Sequence, residues 1–344
     1  MSRRQPGEEN DDFFSEEHYS ENSCSETEAP PVLGRVPTSP LFRPSNLRCV
    51  NTLSGHHSGV RAIAWRANSV FTGSYDNTIK VWNLDTGSCE ATLEGHMAWV
   101  RSLFCHHFEP LLFSGSDDGE LKIWRTDSHT QSGGIQTSGG GILAITVDHD
   151  RSWLITGLYD STIQVWQLPS CEHLFVLSGH RSAVKCLSIF NDCLISGSYD
   201  RTIKLWDLND ECKCLGSLGT RGSVWALAVH EGLLLGAIGD SSIKVWRMDT
   251  WDQTSTLSGH RGLVLALACY GDRLISGSDD RCIRVWRMGT RSDPNAWECE
   301  RVLTGHNGGV VGVCIVQGNV VSASNDSFIK VWNSTGNQRP FTAK

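Results

Sequence analysis

Histidine, aspartate and hydroxyl side chains recur through this 344-residue chain at fixed offsets from tryptophan. Seven tryptophans close strings of the Ile-Lys-Val-Trp kind: Trp82, Trp124, Trp166, Trp206, Trp246, Trp286 and Trp332. Six residues before each stands an aspartate: Asp76, Asp118, Asp160, Asp200, Asp240, Asp280 and Asp326. A Gly-His pair opens five of the units, at His56, His96, His180, His260 and His306. With serine and threonine nearby, these are the types a hydrolase triad uses, where an acid orients an imidazole that takes a hydroxyl proton. They are also ligand types for a divalent metal. Repetition argues against both, because an active site is a single constellation and would not recur in every unit. The sequence therefore predicts no catalytic residue, no metal and no cofactor. One histidine group falls outside the repeat: His106, His107 and His149, in or near turns of the second and third units. Exposed turn histidines are the expectation there.

The elements that would position these residues follow from the period. The tryptophans are spaced 42, 42, 40, 40, 40 and 46 residues apart. In the first unit, Val60–Trp65, Val70–Gly73 and Ile79–Trp82 are β-branched or alternating runs. Arg66-Ala67-Asn68 and Tyr75-Asp76-Asn77 separate them as turns, and Cys89–Leu93 supplies a fourth run. Four short antiparallel strands at a period near 40 residues make a propeller blade. A lone blade leaves two apolar faces open, so the blades must stack in a ring. The sequence predicts an all-β, seven-bladed propeller over residues 46–334. It is flanked by an acidic tail at 1–45, read as disordered, and a short tail at 335–344.

These units resemble the WD-repeat family over about 290 residues. The resemblance implies a structural tetrad in each blade, joining a His, a second-strand Ser or Thr, the turn Asp and the Trp. The hydroxyl positions are then Thr72, Ser114, Thr156, Ser196, Ser276 and Ser322. Two units depart. The third reads Gln136-Thr137-Ser138-Gly139-Gly140 in place of Gly-His, and the fifth reads Leu218-Gly219-Thr220, with Gly236 at the hydroxyl position. Polar networks act cooperatively, so these two blades are expected to be less rigid. Ring closure is also legible. Cys49-Val50-Asn51-Thr52-Leu53 looks like a fourth-strand run without a blade before it, and nothing after Trp332 supplies one. The N-terminal strand should complete blade seven and remove an open sheet edge.

Composition narrows the function classes. Net charge is −8, and residues 1–30 carry nine acids against two arginines. The ring is near neutral, without the basic footprint that nucleic acid demands. No apolar run is long enough to span a membrane. The thirteen cysteines lack paired zinc spacing and read as reduced, buried, small apolar side chains. A cytosolic, or nuclear, location is expected. In the tail, Ser39-Pro40 matches a proline-directed phosphosite, and Ser23 and Ser25 each have a Glu three residues on.

By analogy with the family, partners meet the face carrying the first-strand entrances and the turn before each Asp. Those positions are Arg61, Tyr75, Trp99, Arg101, Tyr159, Lys185, Tyr199 and Trp225. Trp, Tyr and Arg dominate interface hot spots. The aromatics suit an extended peptide, and the cations an acidic or phosphorylated one. The expected function is a non-catalytic scaffold or adaptor for other proteins. A weaker resemblance is to the propeller of TRAF-type RING ubiquitin ligases, through Gln136–Gly140 and Thr156-Gly157 and through the Ser-Gly-Ser-Tyr-Asp style of the repeats. Only Cys24 and His18 in residues 1–45 are of RING-ligand type, and neither an F-box nor a Trp-Asp-x-Arg string is present. One alternative is therefore a substrate-recognition subunit working with ubiquitin-ligase subunits on other chains. The other is a G-protein-β-like or RNA/ribosome-associated propeller, disfavoured by the neutral ring.

Overall fold

The structure, a computed structural model, describes residues 46–210, 212–289 and 296–334. The expected tails at 1–45 and 335–344 lie outside the described residues. Seven four-stranded antiparallel sheets follow one another along the chain, as the repeat predicts. Blade 1 is built from Val60–Arg66, Ser69–Ser74, Ile79–Asn83 and Cys89–Leu93. Blades 2 to 7 repeat this order from inner strands Val100–Cys105, Ile142–Asp148, Val184–Phe190, Val224–His230, Val264–Tyr270 and Val310–Val316, each running from the channel to an outer strand at the rim.

Two local rules shape every blade. The residue after each turn aspartate has positive φ: Asn77 at 67°, Gly119 at 79°, Ser161 at 79°, Arg201 at 69°, Ser241 at 68°, Arg281 at 69° and Ser327 at 71°. Only one of these is glycine, so six side chains pay the left-handed penalty. The preceding aspartate offsets it, because its Oδ1 accepts the amide two residues on in all seven blades. The Asp thus closes its own turn, which explains why it persists where the His does not. The second rule concerns stacking. The first residue of each inner strand (Val60, Val100, Ile142, Val184, Val224, Val264, Val310) is completely buried. Each such side chain is worth about 1.5–3 kcal/mol relative to exposure. Neighbouring sheets come so close that a Cβ on Gly73 would sit 2.5 Å from Val100 Cγ1, and one on Gly277 would sit 2.7 Å from Val310 Cγ1.

The ring closes as the sequence predicts. Leu47–Leu53 pairs antiparallel with Ile329–Ser334, in register from Leu47↔Ser334 to Leu53↔Ile329. Lys330 Nζ donates to Thr52 Oγ1 at 3.0 Å across this seam. Leu53 packs with Ile329 and Val331, and Leu47 with Trp332. Among the described residues no helix is long and apolar enough to cross a membrane.

Candidate partner-binding mouth

In five blades the His, hydroxyl, Asp and Trp form a continuous buried chain. His180 Nδ1 lies 2.8 Å from Asp200, its Nε2 lies 2.7 Å from Ser196 Oγ, and Trp206 Nε1 donates to the same oxygen at 2.8 Å. Blades 1, 2, 6 and 7 repeat this through His56, His96, His260 and His306. With the carboxylate accepting from Nδ1–H, a neutral imidazole leaves Nε2 to accept from the hydroxyl. Burial holds His96, His180, His260 and His306 below the ordinary histidine value, against the pull of their aspartates. Burial alone would raise the Asp76 carboxyl, but hydrogen bonds from His56 and Thr78 hold it well below the usual carboxylate range. Every polar position in these sets is already engaged. Ligand-type atoms of His96, Asp118 and Glu120 do lie within 4.8 Å of one another. Both nitrogens of His96 are taken by Asp118 and Ser114, however, so the group reads as a tetrad and not as an open metal site.

The two departing blades solve the loss differently. In blade 3, Gln164 is 2% exposed and its amide donates to Ser138 Oγ at 3.1 Å, while Trp166 reaches Thr156 Oγ1 only at 3.4 Å. In blade 5 there is no hydroxyl, and the Trp246 ring leans over Gly236, where an added Cβ would meet Cζ3 at 2.9 Å.

The upper face, where the turn aspartates lie, holds the predicted rim residues. A β-bulge displaces the second residue of every inner strand. Bulges re-aim side chains, and here they set seven equivalent residues around the channel mouth: Arg61, Arg101, Leu143, Lys185, Trp225, Leu265 and Val311. Sequence reasoning named four of these and missed Leu143, Leu265 and Val311. Their shared register was available as a signal, but an aliphatic residue in an apolar strand draws no notice. The cations therefore come from blades 1, 2 and 4, and blades 3 and 5 to 7 supply apolar side chains.

Around the cations the aromatics close in. The Arg61 guanidinium lies 5.3 Å from the Tyr75 ring, and that of Arg101 lies 5.5 Å from Tyr75 and 4.8 Å from Trp99. Tyr75 and Trp99 pack at 4.4 Å between centroids, and Tyr199 and Trp225 at 5.1 Å. Trp99 and Tyr159 remain exposed, Tyr159 at 65%. Arg101 is not a free cation: Nε and Nη2 grip both oxygens of Asp117 at 2.7–2.9 Å. Burial works against its charge, and the hydrogen bonds and charge of Asp117 more than restore it. Arg61 and Lys185 have no carboxylate within 4 Å among the described residues, and Arg61 Nε is buried without a hydrogen-bond partner. Burial, and then the nearby charges of Arg61 and Arg101, push the Lys185 ammonium down to about 8. Burial raises the Tyr199 phenol, although both arginines pull it the other way. Beneath the mouth runs a channel of about 230 Å³ lined by residues such as Ala62, Leu103, Cys186 and Leu267.

Two expectations need correction on the lower face and rim. His106 is buried, not an exposed turn residue. Its ring lies 4.6 Å from that of His149, which lies 5.5 Å from that of His107. His106 Nδ1 accepts the Glu109 amide at 2.9 Å, which fixes it neutral with its proton on Nε2. Burial lowers both His106 and His149. The cysteines of the described residues are all free, but Cys49, Cys89 and Cys214 are exposed. These three sit on outer strands, opposite Trp332, Trp82 and Trp206, where one face of the sheet meets solvent.

Comparison with known proteins agrees with this geometry. A family model described as WD domain, G-beta repeat, matches residues 47–83, 87–125, 129–167, 171–207, 251–287 and 297–333. The unmatched stretch contains most of blade 5, the blade without His or hydroxyl. One segment is similar to Nuclear distribution protein PAC1 of Arthroderma benhamiae, 36% identical over 75 residues, 19% of this chain and 16% of that protein. The chain is also similar to Cell division control protein 4 of Candida albicans, 44% identical over 54 residues, 15% of this chain and 8% of that protein. It is similar too to Kinesin-like protein KIF21A of Homo sapiens, 33% identical over 100 residues, 29% of this chain and 6% of that protein. The chain thus spans at most 16% of the length of these relatives.

Proposed function

Because the chain belongs to the WD-repeat family, we propose that its ring is a non-catalytic platform that captures partner proteins at the channel mouth. WD-repeat propellers are in general interaction scaffolds that bind other proteins. One observation carries the reading for this chain. The mouth gathers half-buried and exposed aromatics beside Arg61 and Lys185, two cations with no carboxylate within 4 Å among the described residues. Large aromatics supply buried area, and a desolvated cation supplies orientation. The tetrads contribute no chemistry to this surface, because their polar atoms are spent within each blade. The free thiols of the ring fit the reducing conditions of cytosol or nucleus.

The test replaces Trp99, Arg101 and Trp225 together with alanine. Partner capture by affinity purification and mass spectrometry should be lost, with little change in melting temperature, since none of the three is fully buried. Unchanged capture would place the partner surface elsewhere. Ubiquitin-ligase subunits among the partners lost would assign the platform to substrate recognition for ubiquitin transfer.

A further inference from the structure

The outer strand of blade 4, Lys213–Gly219, is unlike the other six. Each of those anchors a buried side chain (Leu53, Leu93, Ile135, Leu177, Leu257 or Leu303), whereas this strand buries none. Its Leu215 is 59% exposed, more than any other large aliphatic residue of an outer strand. From Cys214 to Gly219 it carries no charge, although an unpaired sheet edge is ordinarily blunted by charge or proline. The outer strands Gln131–Gln136 and Gln253–Leu257 are uncharged too, but they turn glutamine, serine and threonine outward. Gly216 and Gly219 complete the difference. Neither has positive φ, and a Cβ on either would meet nothing within 4 Å. Nor does the bulge at Leu215 demand a glycine after it, since the same bulge is followed by Ala91, Phe175 and Arg301 in blades 1, 3 and 6. The ring itself thus gives no reason for either glycine. A strand glycine with open space around it marks a place where another backbone comes close.

The pattern of this edge is complementary to itself. Opposed pairs in an antiparallel ladder alternate in hydrogen-bonding type, so a two-fold axis between identical strands must pass beside one residue. With the axis at Ser217, Leu215 of each chain lies opposite Gly219 of the other, and Leu218 lies opposite Gly216. Every leucine then meets a glycine, and both glycines acquire a reason. The ends agree in charge. Gly219 pairs with Thr202 beside the turn aspartate, which makes it the upper end, and Lys213 pairs with Asp207 at the lower end. At the upper end Arg181, Arg201 and Arg221 outnumber Asp200 and Asp240; at the lower end Asp207, Asp210 and Glu211 outnumber Lys213. Lys213 is itself met by Asp210 at 3.9 Å. Antiparallel pairing sets the upper end of one chain beside the lower end of the other. The two Lys204 residues, opposite Ser217 on the neighbouring strands, lie three strand spacings apart, about 14 Å, where salt screens them. We propose that two copies of this chain pair antiparallel along Leu215–Gly219, about a two-fold axis at Ser217, joining their fourth blades into one eight-stranded sheet. The inference goes beyond the platform reading. It turns two mouths to opposite sides of one assembly.

The experiment is sedimentation of the full chain in reductant from about 1 µM to about 200 µM, a span that suits an interface of small area. A reversible monomer–dimer equilibrium is expected, weakened by salt. Gly219→Val fills the space that Leu215 of the other chain would enter, and Leu215→Lys places a charge on the edge. Each should weaken association about tenfold or more. Neither should lower the melting temperature, because the space at Gly219 is open within the ring and Leu215 is exposed. Ser217→Cys, in a Cys214→Ser background, brings two thiols together across the axis, with Cα atoms about 5 Å apart. A mild oxidant should therefore give one interchain disulfide. A monomer at every concentration overturns the inference. So does a dimer that Gly219→Val leaves intact, because its interface would then lie elsewhere. If the chain is monomeric and Leu215→Lys loses a protein partner that the alanine triple variant keeps, the edge accepts a foreign strand and the choice of a second copy fails.

Discussion

Replacing Ser196 with alanine tests the tetrad at a single atom. The hydroxyl is completely buried, donates to His180 Nε2 at 2.7 Å and accepts from Trp206 Nε1 at 2.8 Å. Its removal strands two buried partners, each costing about 1–3 kcal/mol. Loss of the hydroxyl's own burial cost returns a part of this, for a net destabilisation of about 3 kcal/mol. Blade 3 provides the comparison. Thr156 is equally buried, but its hydroxyl is 3.4 Å from Trp166 Nε1 and 3.3 Å from Gln164 O, and no His depends on it. Thr156→Val keeps the volume, removes only these long contacts and should cost no more than about 1 kcal/mol. In thermal melts the Ser196 variant should lose roughly 6 °C and the Thr156 variant roughly 2 °C or less. Equal losses would refute the argument, because the hydroxyl would then matter in proportion to its burial and not to the chain of bonds through it.

Acid should weaken the ring before it touches the carboxylates. His96, His180, His260 and His306 are held below the ordinary value by burial, as are His106 and His149. The unfolded chain therefore takes up protons first as pH falls through about 6.5. This contribution to stability is complete above that value and is progressively lost below it, so melting temperature should fall from pH 7.5 to 5.5. A melting temperature constant over that range would show that these imidazoles are not held neutral. Deleting residues 46–54 should unfold or aggregate the protein in gel filtration and circular dichroism, because the third strand of blade 7 becomes an open edge. A monomeric, native-like ring after that deletion would contradict the closure.

The fold was legible because each blade repeats the same local instructions. Asp at a fixed offset before Trp marks the turn, and β-branched runs mark the strands. Closure was legible from a fourth-strand run with no blade before it. The mouth was legible only in part. Trp99, Tyr75 and Arg61 stand out by type, but the commitment of Arg101 to Asp117 depends on packing across a hairpin, which residue type does not record. The bulges are invisible to a two-residue period, so Leu143, Leu265 and Val311 read as ordinary core. His106 looked exposed because turns usually are. It is buried because His149 from the next blade covers it, a contact between residues 43 apart in sequence.

The seam that closes the ring also sets an order of events. Of the strands of the ring, Leu47–Leu53 is made first and its partner Ile329–Ser334 last, with Thr52 and Lys330 separated by 278 residues. At about 5–20 residues per second, the strand waits on the order of 15–60 s before its partner exists. Over that interval Leu47 and Leu53 lack their burial, and the strand presents unpaired amides and carbonyls on a ribosome-bound chain. Contacts so distant in sequence form late, so the ring is a fast series of local hairpins followed by one slow docking. The nascent chain therefore carries a sticky strand while the rest of the ring is translated, and its yield in a cell depends on how well that one segment is shielded.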